Sequence, residues 1–201
     1  MEQNSLTIAE VYKELVALED KLPNSELVAL APFNTAYIVV TAAVQRAIVS
    51  GQLARPDVME RLSVVFANYY FQPVKLKNGA MTMDNPWGKV IDKTLFPAFM
   101  QVLLGAYVHI HDDLPQALLA LGLSPDELAK DYQKLGNVIT DCIPRILSEL
   151  YVPKTPLRRL LKKASFVGVV PIRLLILYWR RQTWQRFVQT KRNQPYTALV
   201  G

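Results

Sequence analysis

The sequence predicts an all-α protein, a single-domain multi-helix bundle over residues 1–192. Three observations predict it. Apolar residues recur at three- and four-residue spacing through every long segment, as one face of a helix requires. Prolines and capping-box patterns stand where those segments begin. No alternation of period two persists, and the β-branched run Ile38-Val39-Val40-Thr41 falls inside a helical pattern. With 201 residues and 51% hydrophobic content, the chain can bury one sizeable core.

Thr7-Ile8-Ala9-Glu10 is a capping box, and Ile8, Val11, Leu15, Leu18 and Leu22 continue it as a first helix ending at Pro23. Pro32 opens a second helix, with Phe33, Tyr37, Val40 and Val44 on one face and Gly51 as its terminal cap. Pro56 opens a third, predicted to reach Tyr70. Pro73, Asn78-Gly79 and Asn85-Pro86 then break the period, so residues 72–86 are expected to form a long loop. Asn85-Pro86-Trp87 starts the next helix, which Pro97 interrupts. A short helix follows from Pro115 to Leu121, stopped by Gly122. Ser124-Pro125-Asp126-Glu127 is a second capping box, heading a long helix that Pro144 should kink. Thr155-Pro156 and Pro171 are expected to open the last two helices, and residues 193–201 read as a disordered tail.

Charge is divided unevenly along this framework. Residues 153–201 carry eleven Lys or Arg and no Asp or Glu, while the preceding 152 carry twelve basic and seventeen acidic residues. A block of one sign attracts polyanions. Here Leu174-Leu175-Ile176-Leu177-Tyr178-Trp179 lies among Arg173, Arg180, Arg181 and Arg186, the division of apolar and basic residues found in helices that lie on anionic bilayers. The same segment also fits a last core helix with a solvated basic face. Arginines interrupt it too often for a membrane span. Nucleic acid is the less favoured polyanion, because no base-reading motif accompanies the arginines. One cysteine, Cys142, excludes an internal disulfide, and the N-terminus lacks the basic start and apolar stretch of an export signal. The chain is expected in the cytoplasm, with a peripheral membrane association.

The chemistry concentrates in His109-Ile110-His111-Asp112-Asp113-Leu114-Pro115, which holds both histidines of the chain. Phe99, Val102, Ala106, His109 and Asp113 step by three or four residues, so a continuing helix places the imidazole and Asp113 on its core-facing side. His111 then faces the other way. An imidazole one turn from a carboxylate can do acid–base work, the carboxylate fixing its tautomer, or the pair can share one divalent metal ion. It also fits a buried histidine hydrogen-bonded to an aspartate that caps the following helix. Asp84, Asp92 and Asp141 are candidates for a third metal ligand. Two histidines are too few for a three-zinc centre of the phospholipase C type. Phosphate-loop, Gly-x-Ser-x-Gly and local Cys-His signatures are absent from the sequence. Tyr37, Tyr70, Trp87 and His111 are candidates to line a pocket around His109, and a pocket so walled takes an apolar or lipid-like small molecule; the aromatics at this spacing equally fit plain core, and His111 a polar helix end.

The run Val108-His109-Ile110-His111-Asp112-Asp113-Leu114-Pro115 resembles the Ala-His-Ile-Asn-x-Asp-Leu-Pro signature of a bacterial family, domain of unknown function 5995. Val108 stands at the signature's alanine and His111 at its asparagine. Fainter likenesses, Phe33 with Tyr37 and Thr41, Phe66-Ala67 with Tyr70, Pro86-Trp87, and Arg181 with Trp184, extend over most of the chain. The resemblance implies a helical fold and singles out His109 and Asp113, but it implies no activity. Two functions follow from the residues: an enzyme with a His109–Asp113 site acting on an apolar small molecule, or a non-catalytic module docking through its basic C-terminal helices.

Overall fold

The computed structural model describes residues 7–75, 86–150 and 158–193, with the backbone alone at 75 and over 158–168. Every described regular element is helical: α1 (Ile8–Glu19), α2 (Ala31–Val49), α3 (Pro56–Lys75), α4 (Gly88–Ile91), α5 (Ala98–Val108), α6 (Leu114–Ala120), α7 (Pro125–Asp141), α8 (Ile143–Leu150) and α9 (Arg158–Asn193). Two 3-10 turns, Leu22–Asn24 and Val28–Leu30, join α1 to α2, and a π-turn, His109–Asp113, joins α5 to α6.

The helix starts follow local chemistry. Glu10 accepts the Thr7 N–H at 2.6 Å and Glu127 accepts that of Ser124 at 2.9 Å, so both predicted capping boxes form. Gly51 and Gly122 take left-handed φ angles of 70° and 73° just past α2 and α6, where a side chain would be strained.

Helix α2 is the centre of the bundle and packs against α1, α3, α5, α7 and α8. It is long and apolar enough to cross a membrane, but over half of its apolar window is buried in the fold, as a central core helix requires. Gly105 lets α5 approach α2 closely: a Cβ there would stand 2.6 Å from the Phe33 ring. Buried polar groups tie the outer helices on. Asn34 donates to the Leu15 carbonyl and to Glu19, and accepts from the Tyr70 hydroxyl, linking α1, α2 and α3. Asp131 on α7 is 2% exposed and accepts the Ala54 and Arg55 N–H groups at 2.9 and 2.7 Å. It thereby supplies the donors leading into α3 with acceptors from another helix. Tyr132 and Arg180 exchange hydrogen bonds between α7 and α9: the tyrosine hydroxyl donates to the Arg180 carbonyl at 2.8 Å, and the guanidinium donates to the Tyr132 carbonyl at 3.1 Å.

Prolines are the main departure from the sequence-based expectation. Pro171 does not open a last helix; it lies inside the single 36-residue helix α9. Likewise α3 runs past Tyr70 to Lys75 through Pro73. An interior proline costs a helix roughly 3 kcal/mol. Downstream packing offsets it in α9, where Ile176, Thr183 and Phe187 are buried against the bundle. Pro144 ends α7 rather than bending it, since α8 begins afresh at Ile143. The helix expected from Trp87 is one turn, and Pro97 serves as the N-terminal flank of α5. Most of the expected 72–86 loop, the Thr155-Pro156 start and the tail beyond Asn193 lie outside the described residues.

Candidate functional site: a buried His-Asp pair beside an apolar cavity

Pro115 shapes the backbone at the site. In a regular α-helix its ring would clash with the carbonyl of residue 111 and it could donate no hydrogen bond. The chain widens instead into the π-turn, in which the Leu114 N–H reaches back five residues to the His109 carbonyl. The Ile110 carbonyl would next receive residue 115, which has no N–H. Thr183 of α9, fully buried, fills the gap by donating its hydroxyl to that carbonyl at 2.8 Å. The π-turn is thus held by a proline on one side and a threonine from a distant helix on the other.

The turn keeps His109 and Asp113 on one inward face, 4% and 6% exposed, as their spacing predicts. His109 Nδ1 lies 2.7 Å from Asp113 Oδ2, and the Trp87 indole N–H donates to the same oxygen at 3.1 Å. Phe66 stacks flat on the imidazole, with centroids 3.5 Å apart and planes 11° from parallel. Tyr37, Phe33 and Tyr70 present edges at 4.9, 5.7 and 6.2 Å. Burial in this aromatic cage holds the His109 imidazole below the ordinary histidine range, against the opposing pull of the Asp113 hydrogen bond and charge. The ring is therefore neutral at neutral pH. Nδ1 carries the proton it donates to the carboxylate, and Nε2 is left with a lone pair. That nitrogen is buried and has no hydrogen-bond partner among the described residues.

A cavity of about 120 Å³ lies alongside, walled by aliphatic and aromatic side chains of α2, α3, α5, α7, α8 and α9. Among the described lining residues three carry polar side-chain groups: His109, Tyr37 and Arg180. A second cavity of about 50 Å³ shares Tyr37, Phe66 and Arg180 with it. The Tyr37 hydroxyl has no hydrogen-bond partner among the described residues, and burial pushes its pKa well up, with the Asp113 charge adding to the effect. It is a proton donor, not a phenolate.

The other expected site residues divide. Tyr70 and Trp87 belong to the cage around His109 but not to the walls of either cavity. His111 faces away, half-buried against Tyr107 and Trp179 at 4.4 and 6.0 Å. Burial lowers its pKa, as does the Arg186 charge. Arg173 pairs with Asp141 at 2.9 Å, and Arg181 and Arg186 are exposed. Arg180, expected beside them at the surface, is instead 6% exposed, because it lies on the inward face of α9 with Ile176, Thr183 and Phe187. That face repeats at four- and three-residue steps, a signal visible in the sequence but masked by the run of basic residues.

Among the described residues no three His, Cys, Asp or Glu side chains gather where they could hold a metal ion. Asp84 lies outside the described residues, Asp92 is exposed, and Asp141 is taken by Arg173. The near nitrogen of His109 and the near oxygen of Asp113 bond to each other, so the pair as folded does not offer both to one ion.

No curated protein and no solved structure matches this chain. A family model described as a family of unknown function, DUF5995, matches residues 8–199, nearly the whole sequence. The chain belongs to that family.

Proposed function

We propose that the protein is an acid–base enzyme, in which His109 moves a proton on an apolar small molecule held in the adjoining cavity. One observation carries this reading: a buried, neutral imidazole whose Nδ1 is fixed by a buried carboxylate and whose Nε2 has no partner. Native proteins pair nearly all buried polar atoms, so such an orphan points to a role outside folding. On accepting a proton at Nε2 the ring becomes cationic, and Asp113 is placed to stabilise that charge through the Nδ1 hydrogen. The Trp87 N–H keeps the carboxylate in position. Tyr37, whose ring centroid lies 4.9 Å from that of the imidazole, lines the same cavity. No Ser, Thr or Cys lines the larger cavity among the described residues, which favours proton transfer over covalent catalysis through such a nucleophile.

The test is solvent-deuterium incorporation into a panel of enolisable apolar carbonyl compounds, neutral and acidic. Wild type should label or convert at least one. His109→Asn and Asp113→Asn, checked for folding by circular dichroism, should lose about 10²–10⁴-fold in rate. A panel left unlabelled, or His109→Asn working at the wild-type rate, contradicts the proposal.

A second reading, docking on an anionic membrane, draws on α9. Val170, Leu174 and Tyr178, four residues apart, form a stripe 54–61% exposed, with Arg181 exposed just beyond. Leu174→Glu together with Arg181→Gln and Arg186→Gln should abolish sedimentation with vesicles containing phosphatidylserine. Undiminished sedimentation excludes this reading.

A further inference from the structure

Arg180 is the charged group that the acid–base reading leaves without a role. A guanidinium stays protonated at any physiological pH, and a buried cation ordinarily sits beside a carboxylate. None reaches Arg180 among the described residues. Its side chain donates one hydrogen bond, to the Tyr132 carbonyl, and lies over the Tyr132 ring at 4.3 Å. That ring is backed in turn by Trp184, stacked at 4.5 Å. The guanidinium has five N–H donors, so most are left without an acceptor among the described residues. Arg180 and Tyr37 both line the two cavities.

We infer that the cavity takes a small apolar monocarboxylate, its carboxylate on Arg180 and its hydrocarbon body against the aliphatic and aromatic wall. This rests on the proposal that the cavity is the substrate site, and it names the substrate's class. The chemistry fits at both ends. A carboxylate accepts two parallel N–H bonds from a guanidinium and supplies the missing counter-charge in a low-dielectric setting. Tyr37 can add a third donor. Among the described residues the remaining wall offers no further charge, so a dication or a polyanion such as a nucleotide is mismatched. The cavity is of the order of the roughly 150 Å³ apolar space that accommodates benzene, so the body is about that size. Within the proposed enzyme the carboxylate is the handle, and the proton that His109 removes lies on the apolar portion.

Isothermal titration calorimetry at pH 7.5 with benzoate and hexanoate, set against benzamide and hexanamide, tests the inference. The acids should bind wild type at least about tenfold tighter than their amides. Arg180→Met and Arg180→Gln should each erase that preference, while His109→Asn should retain it. Amides and acids binding equally well overturn the anion assignment and leave the cavity as a neutral site. Failure of all four probes, with deuterium labelling still observed, overturns it as well and leaves the proton-transfer reading standing. Preference for the acids in both Arg180 variants moves the anion to another residue and also refutes the inference.

Discussion

Two buried polar stations on neighbouring helices carry opposite patterns. Asp131 of α7 faces the start of α3 and has both carboxylate oxygens taken by backbone N–H groups. His109 and Arg180 are buried to a similar degree, yet each keeps polar atoms that the protein does not use. Asp131 repairs a deficit created by folding, the orphaned donors ahead of a helix. His109 and Arg180 create a deficit of their own beside an apolar cavity. Burial and charge alone therefore do not separate a structural group from a functional one. Hydrogen bonds left unmade beside a cavity do, because the ring nitrogens of His111 are also buried without a partner among the described residues, yet His111 lines neither cavity.

That contrast can be broken by mutation. The largest stability effect belongs to the filled station: Asp131→Ala strands two donors and should cost roughly 2–5 kcal/mol, read as a lower urea midpoint with an unchanged slope. A loss under about 1 kcal/mol would mean that water replaces the carboxylate and that the station is not structural.

Gly105→Ala comes next. The new methyl meets Phe33 at 2.6 Å and pushes it toward the imidazole cage, an overpacking of about 1–3 kcal/mol, offset by up to about 1 kcal/mol of helix propensity. A stabilised variant would show that the contact between α2 and α5 yields without strain.

The pH dependence sharpens the His109 side. Burial lowers the folded-state pKa of His109 below its unfolded value of about 6.5, so between the two values the unfolded chain binds more protons. Its stabilising contribution is complete above that unfolded value and is lost as pH falls below it toward the folded one. The slope is at most about 1.4 kcal/mol per pH unit. His109→Gln should flatten this part of the stability profile and leave the share of His111, whose pKa is lowered in the same direction. An unchanged profile would place the titration elsewhere.

Arg180→Met should show the smallest effect, within about 1 kcal/mol of neutral in either direction, because removing a buried cation that has no counter-charge among the described residues is opposed by the loss of its hydrogen bond to the Tyr132 carbonyl and of its contact with the Tyr132 ring. A loss of 2 kcal/mol or more would put Arg180 with Asp131 among the structural groups.

Much of this was legible in the sequence. His109 and Asp113 are four apart, and that spacing keeps them on one face even after the helix widens, so their inward pairing followed from position alone. The capping boxes at Thr7 and Ser124 were equally explicit. Pro73, read as a helix breaker, and Pro171, read as a helix start, both lie inside helices, because a proline bounds a helix only where the surrounding packing does not carry the helix through it. Arg180 was obscured by its neighbours. The charge of residues 153–201 suggested a surface, whereas Ile176, Arg180, Thr183 and Phe187 mark the buried face of α9. Asp131 was invisible for another reason: its partners, Ala54 and Arg55, are more than seventy residues away and use only their backbones.

The most direct test is the protonation state of the His109 ring, read from its nitrogen-15 chemical shifts at pH 7.5 in uniformly labelled protein. The account predicts a neutral ring with hydrogen on Nδ1 and a bare Nε2, a pattern that Asp113→Asn disturbs. A hydrogen on Nε2, or a fully protonated imidazolium, would remove the lone pair on which the proposed chemistry depends.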